Sequence, residues 1–242
     1  MAPDPIHQFQ ITKYFTLGHI GGQEIAFTNS SAYMFLSVAV ISLLMIGGSA
    51  RGQLVPGRIQ SIAELSYEFV AATIRSTAGS EGMKFFPLIF TLFMFVLFCN
   101  LFGLLPYSFT PTSHIIVTFA MAICVIVAVT AIGFYIHGLH FLSFFVPHGA
   151  PPLMYPLLVP IEILSYCVRP VSLSIRLFVN MMAGHTMLKV FAGFVIALGV
   201  FGVAPLAVTV ALYGFEVAVA FLQAYIFTVL TCIYLNDAIH MH

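Results

Sequence analysis

"LLVPIEILSYCVRPVSLSIRLFVNMMAGHTMLKVFAGFVIAL", residues 157–198, decides the fold. The run is apolar enough for a membrane helix, yet at about 1.5 Å per residue it would be roughly 60 Å long, twice the hydrocarbon thickness of a bilayer. It must therefore kink, tilt steeply or lie along the membrane. Inside it stands Arg176, which keeps its charge at any ordinary pH and costs at least roughly 2.5–3.5 kcal/mol near the bilayer centre on insertion scales. Something must offset that cost.

The rest of the chain is equally apolar. Of 242 residues, 61% are hydrophobic and 7% charged, against about 25% charged in a soluble domain, so this is an integral membrane protein. Eight Lys and Arg balance eight Asp and Glu, which leaves no field for nucleic acid or an anionic partner. The first thirty residues hold Asp4, His7, Lys13 and Glu24 without a continuous apolar core, so they read as an extramembrane segment and not as a cleaved signal. Predominantly apolar runs at 31–50, 85–105, 113–136, 157–198 and 204–235 predict five crossings in one membrane domain spanning 1–242. The segment 57–79 predicts an amphipathic helix lying flat on the surface, with Ile62, Leu65, Phe69 and Ala72 on one face and Glu64, Glu68 and Arg75 on another.

Arg51, Arg58, Arg75 and Lys84 crowd the first connection, whereas the connections near 106–112 and 199–203 hold no Lys or Arg. This asymmetry places the amino terminus outside and the carboxyl terminus inside. Arg169 then falls on the cytoplasmic side too. Prolines at 147, 151, 152, 156, 160 and 170 argue against one straight helix before Arg176. Cys99, Cys124, Cys167 and Cys232 show no ligand spacing and read as core packing. No internal repeat is visible.

The polar residues inside the spans carry the chemistry. At about 100° per residue, Asn180 and Ala183 share a face with Arg176, while His185 lies on the opposite one. In the last crossing Glu216, Gln223 and Tyr234 follow at seven and eleven residues and form a polar stripe. Glu216 and His185 are groups that bind and release protons, the usual parts of intramembrane relays. Glu162 precedes Arg176 by fourteen residues on nearly the same face. A purely structural reading pairs Arg176 with Glu162 or Glu216 and makes Gln223 interhelical glue. Asn100, ending the second crossing, reads as a cap or bridge. His137 and His140 have no acid or Cys partner nearby, so neither a metal nor another cofactor is expected.

"PVSLSIRLFVNMMAGH" (170–185), "FLQAYIFTVLTCIYL" and "NLFGLLPYSFTPTSH" closely resemble subunit a of the F-type ATP synthase, the stator of its proton-translocating membrane sector. The likeness runs from about residue 83 to the end, and "HQF" near the start fits as well. The resemblance implies that Arg176 faces a rotating ring of small subunits, each with a buried carboxylate that offsets the burial cost of the arginine. Asn180, His185, Glu216 and Gln223 would line two proton half-channels, with Glu162 on the cytoplasmic side, Asn100 on the other, and Tyr234 further along the stripe. Some members carry acid and imidazole the other way round at 185 and 216, and many have glycine where Val179 stands. The resemblance further implies peripheral stalk subunits as partners, protons as the transported ion, helices four and five as a tilted hairpin around the ring, and a bacterial inner membrane in preference to a mitochondrial one. The chain has no phosphate-binding loop of the G-x-x-x-x-G-K-[ST] type, so nucleotide chemistry belongs elsewhere in such a complex. A haem- or quinone-binding subunit would want paired axial histidines in mid-membrane, and a self-contained transporter would want matching halves; neither pattern is present.

Overall fold

The structure is a computed structural model that describes residues 10–20, 23–50, 55–105, 108–146 and 154–240. The "HQF" stretch, Arg51, the prolines at 147, 151 and 152, and His242 lie outside the described residues. Among these residues six α-helices follow a short hairpin: α1 Asn29–Ser49, α2 Arg58–Gly82, α3 Phe86–Gly103, α4 Ile115–His137, α5 Tyr155–Leu198 and α6 Val203–Ile239. Five segments of the described residues are long and apolar enough to cross a membrane, α2 and α3 together forming one of them.

The all-α expectation needs one amendment. Lys13–Ile20 (β1) and Gln23–Thr28 (β2) pair antiparallel, and Asn29 ties this hairpin to the first helix. Its side-chain amide donates to the Gln10 carbonyl at 3.0 Å and its Oδ1 accepts from the Thr12 N–H at 3.3 Å. Thr28 then caps α1 by accepting from the Ser31 N–H. Outside the bilayer, the Lys13 ammonium 2.8 Å from Glu24 holds that carboxyl below the usual carboxylate range.

In α2 most of the apolar face expected for a membrane-surface helix stays outward, and a second stripe packs on the bundle. Its buried stripe is Ala63, Val70, Ala71, Ile74 and Ala78, while Ile62, Leu65 and Ala72 are exposed. The sequence carries two apolar stripes on this helix, and the tertiary core takes the one with smaller side chains, which permits close approach to α6 and α3. Phe69 lies between them, 5.5 Å from the rings of Phe93, Phe221 and Tyr225. Gly79, at φ 68°, turns the chain out of the helix before α3.

α5 runs unbroken for 44 residues with Pro160 and Pro170 inside it, about 66 Å at 1.5 Å per residue. The prolines deprive the carbonyls of Pro156 and Tyr166 of helical donors without ending the helix. Cys99 and Cys232 are buried, as packing residues are, but Cys124 and Cys167 are exposed. A small apolar side chain is as suited to a lipid-facing surface as to a core. At the centre lie α3 and α6, where Ala220 and Ala224 are fully buried and let Phe93, Val96 and Phe227 pack tightly.

Candidate functional site

α5 and α6 meet as an antiparallel pair, and three side-chain contacts mark their register. Arg169 meets Asp237, Asn180 meets Gln223, and His185 meets Glu216. Asn180 Nδ2 donates to Gln223 Oε1 at 2.9 Å. His185 Nδ1 lies 4.0 Å from Glu216 Oε2, with both side chains buried.

The helical wheel places His185 away from Arg176 and Asn180, but the structure brings both Asn180 and His185 against α6. The reason is Gly184. A Cβ there would overlap the Glu216 carboxylate, so the bare glycine lets that side chain cross the helix surface and reach the imidazole. The glycine of the quoted motif thus makes room for the acid.

His185 also leans on a loop. Its Nε2 is 3.3 Å from Thr110 Oγ1, and the 3₁₀ turn Pro111–Ser113 follows directly. Thr112 Oγ1 donates to Asn100 Oδ1 at 2.8 Å, and Asn100 Nδ2 donates to the Ala220 carbonyl at 3.3 Å. Gly103 makes this possible on α3, because a Cβ there would strike the Thr110 side chain. Asn100 is therefore fully buried and bridges α3, the turn and α6. Thr110 and Thr112 are polar members of the site to which sequence reasoning assigns no role, although they sit in the quoted "FTPTSH".

A cavity of about 350 Å³ opens between α5 and α6, with Arg176, Asn180, Gly184, Glu216 and Gln223 in its wall. Arg176 is exposed, and among the described residues it forms no ion pair, with Glu162, Glu216 or any other carboxylate. The salt-bridge alternative to a functional arginine is not what this fold builds. Glu162 is half-buried, about 21 Å back along α5. Tyr234 does not join the Glu216–Gln223 cleft. Its ring lies 5.0 Å from the Arg169 guanidinium. His137 Nε2 is 3.0 Å from the Ile239 carbonyl oxygen, an interhelical tie.

Glu216 Oε2 and Gln223 Nε2 are buried without a hydrogen-bond partner among the described residues. Each such atom costs about 1–3 kcal/mol if left dry. The arrangement is thus a string of titratable and polar groups in a cleft beside a bare guanidinium, suited to moving a proton and attracting an anion.

The model of the family described as ATP synthase A chain matches residues 31–236. An ATP synthase subunit a of Rhodopseudomonas palustris (strain BisB5) is 66% identical over 247 residues, covering 99% of each chain. Proteins of the same name from Bradyrhizobium diazoefficiens and Nitrobacter winogradskyi are 64% and 62% identical, covering 99% and 98% of each chain respectively.

Proposed function

The chain belongs to the ATP synthase A chain family, and from that premise we propose that it is the stator through which protons pass as a rotor ring turns. It is a multi-pass membrane protein, and its bacterial relatives place it in a bacterial inner membrane. The observation that carries the reading is Arg176, a cation exposed beside a polar cleft with no carboxylate among the described residues to neutralise it.

A carboxylate on a rotor subunit supplies the missing charge. As it approaches, the guanidinium favours its ionised form and so drives release of its proton. The same positive charge repels a proton or hydronium trying to pass along the cleft, which keeps the two half-channels apart.

On one side of Arg176 the route runs from the Asn100–Thr112 bridge through Thr110, His185 and Glu216 to the Asn180–Gln223 pair. Water bridging Glu216 Oε2 and Gln223 Nε2 satisfies those atoms and completes a hydrogen-bonded chain. Glu162 and Tyr234 lie on the other side of Arg176 and belong to the cytoplasmic route. With Arg58, Arg75, Lys84 and Arg169 facing the cytoplasm, the amino terminus is periplasmic and the carboxyl terminus cytoplasmic. The chain carries no nucleotide chemistry; peripheral stalk subunits hold it still while ATP is made elsewhere in the complex.

The test is ATP-driven proton pumping and ATP synthesis in membrane vesicles carrying Arg176→Ala, with recovered complex quantified. Loss of both activities with intact assembly is expected. Retained coupling would make the arginine structural and end this reading.

A further inference from the structure

Arg169 precedes Arg176 by seven residues, which returns α5 to within about 20° of the same face roughly 10.5 Å away. Two guanidiniums therefore share one stripe of the helix that faces the rotor in the function proposed above. An anion travelling along that stripe would be held twice unless one of the cations were silent.

The two arginines are in different electrostatic states. Arg176 has no ion pair among the described residues. Arg169 Nη1 lies 3.3 Å from Asp237 Oδ2, and its guanidinium sits 5.0 Å from the Tyr234 ring, 5.4 Å from Tyr166 and 6.0 Å from Phe144. Glu162, one heptad earlier on the same stripe, is not its partner; the neutralising carboxylate comes from α6. Tyr234 lies within electrostatic range of both arginines and of Asp237, so the two charges belong to one neighbourhood.

The pair is not alone in fastening the helix ends. Thr130 Oγ1 and the Tyr166 hydroxyl lie 2.5 Å apart and join α4 to α5, and His137 ties α4 to the end of α6. The side chains of Arg169 and Asp237 remain 20% and 35% exposed, open to whatever passes that surface.

We propose that Asp237 masks the charge of Arg169, so that Arg176 alone presents a bare guanidinium to the rotor carboxylate. The inference rests on the stator function proposed above, and it makes Asp237 a positioning residue for the anion and not a proton carrier. A mask differs from a mechanical latch in one respect: removing the mask is harmful, whereas removing the charge it covers is not.

The experiment compares Asp237→Asn, Arg169→Gln and the double variant in the assembled complex, reading ATP-driven pumping per recovered complex at low and high salt. Asp237→Asn is expected to slow pumping roughly tenfold, equivalent to about 1.4 kcal/mol of residual attraction, and raised salt should relieve part of the loss by screening. Arg169→Gln and the double variant are expected to pump within about twofold of the parent. Equal defects in all three variants would show a latch and overturn the mask, as would an unaffected Asp237→Asn. Failure to recover the Asp237→Asn complex would also count against it, because a half-open mask is dispensable for assembly. Arg176→Ala in the same vesicles separates the two claims: retained coupling there overturns the stator function, while its loss beside a normal Asp237→Asn overturns only the mask.

Discussion

Gly184→Ala is the most informative small change in the molecule. The added methyl group would occupy the space of the Glu216 carboxylate, and because Gly184 is fixed inside α5, the carboxylate is the part that must turn away. Its distance from His185 Nδ1 is 4.0 Å. An imidazolium and a carboxylate at that distance attract by about 4.2 kcal/mol at an effective dielectric of about 20, and by about 2.8 kcal/mol at ~6 Å. The loss of about 1.4 kcal/mol in the charge-separated step slows proton transfer roughly tenfold. The cost to folding is smaller, because the displaced group is the flexible end of a side chain. The assay is passive proton conduction through the membrane sector, normalised to assembled complex. Gly193→Ala is the control on the same helix, since a Cβ there meets nothing within 4 Å. Conduction that falls in Gly184→Ala and holds in Gly193→Ala supports a working His185–Glu216 pair. Equal conduction in both would refute the reasoning and return Glu216 to helix packing.

Three further outcomes follow from the same contacts. Asn180→Leu and Gln223→Leu each break the 2.9 Å bond between them and strand the remaining amide, so each should slow conduction by roughly 5- to 150-fold for about 1–3 kcal/mol; the double variant should be no worse than the poorer single, a non-additivity that a double-mutant cycle measures. Asn100→Ala removes the bonds to Thr112 and Ala220 and should lower the stability of the detergent-solubilised complex by about 1–3 kcal/mol, read as a lower midpoint in thermal unfolding. In the hairpin, Glu24 is held below the usual carboxylate range by Lys13, so the contribution of the pair is present above the unfolded carboxyl value and is lost as pH falls through the lower folded one. A carboxyl-carbon NMR titration should show Glu24 returning to the usual range in Lys13→Met, and no change there would remove the pair from consideration.

The five crossings are legible because hydropathy over about twenty residues depends only on composition, and each observed helix begins and ends within four residues of the expected span. The hairpin is the element that a search for spans passes over, although Gly21-Gly22 between two β-rich runs is a hairpin signal in its own right. For α2, periodicity reveals an amphipathic helix but not which of its two apolar stripes the core takes, since that choice depends on the shape of α3 and α6. The polar residues of the site can be found in the sequence because ionisable groups are rare inside spans. Their pairing cannot, because a wheel gives the bearing of His185 and says nothing of how far Glu216 reaches across a neighbouring glycine. Asp237 hides for another reason: at the end of the last helix it looks like a solvated terminal charge until the antiparallel register sets it beside Arg169.

The central claim is that the counter-charge of Arg176 belongs to the rotor. Val179, 46% exposed and one turn from Arg176, offers the most direct measurement. With the exposed Cys124 and Cys167 replaced by alanine, a cysteine at position 179 is paired with one introduced beside the rotor carboxylate, and disulfide formation is followed in the assembled complex. Rapid cross-linking that stops ATP-driven pumping and is reversed by reductant is expected. An intact complex that forms no cross-link, or one that still pumps while cross-linked, would contradict the claim.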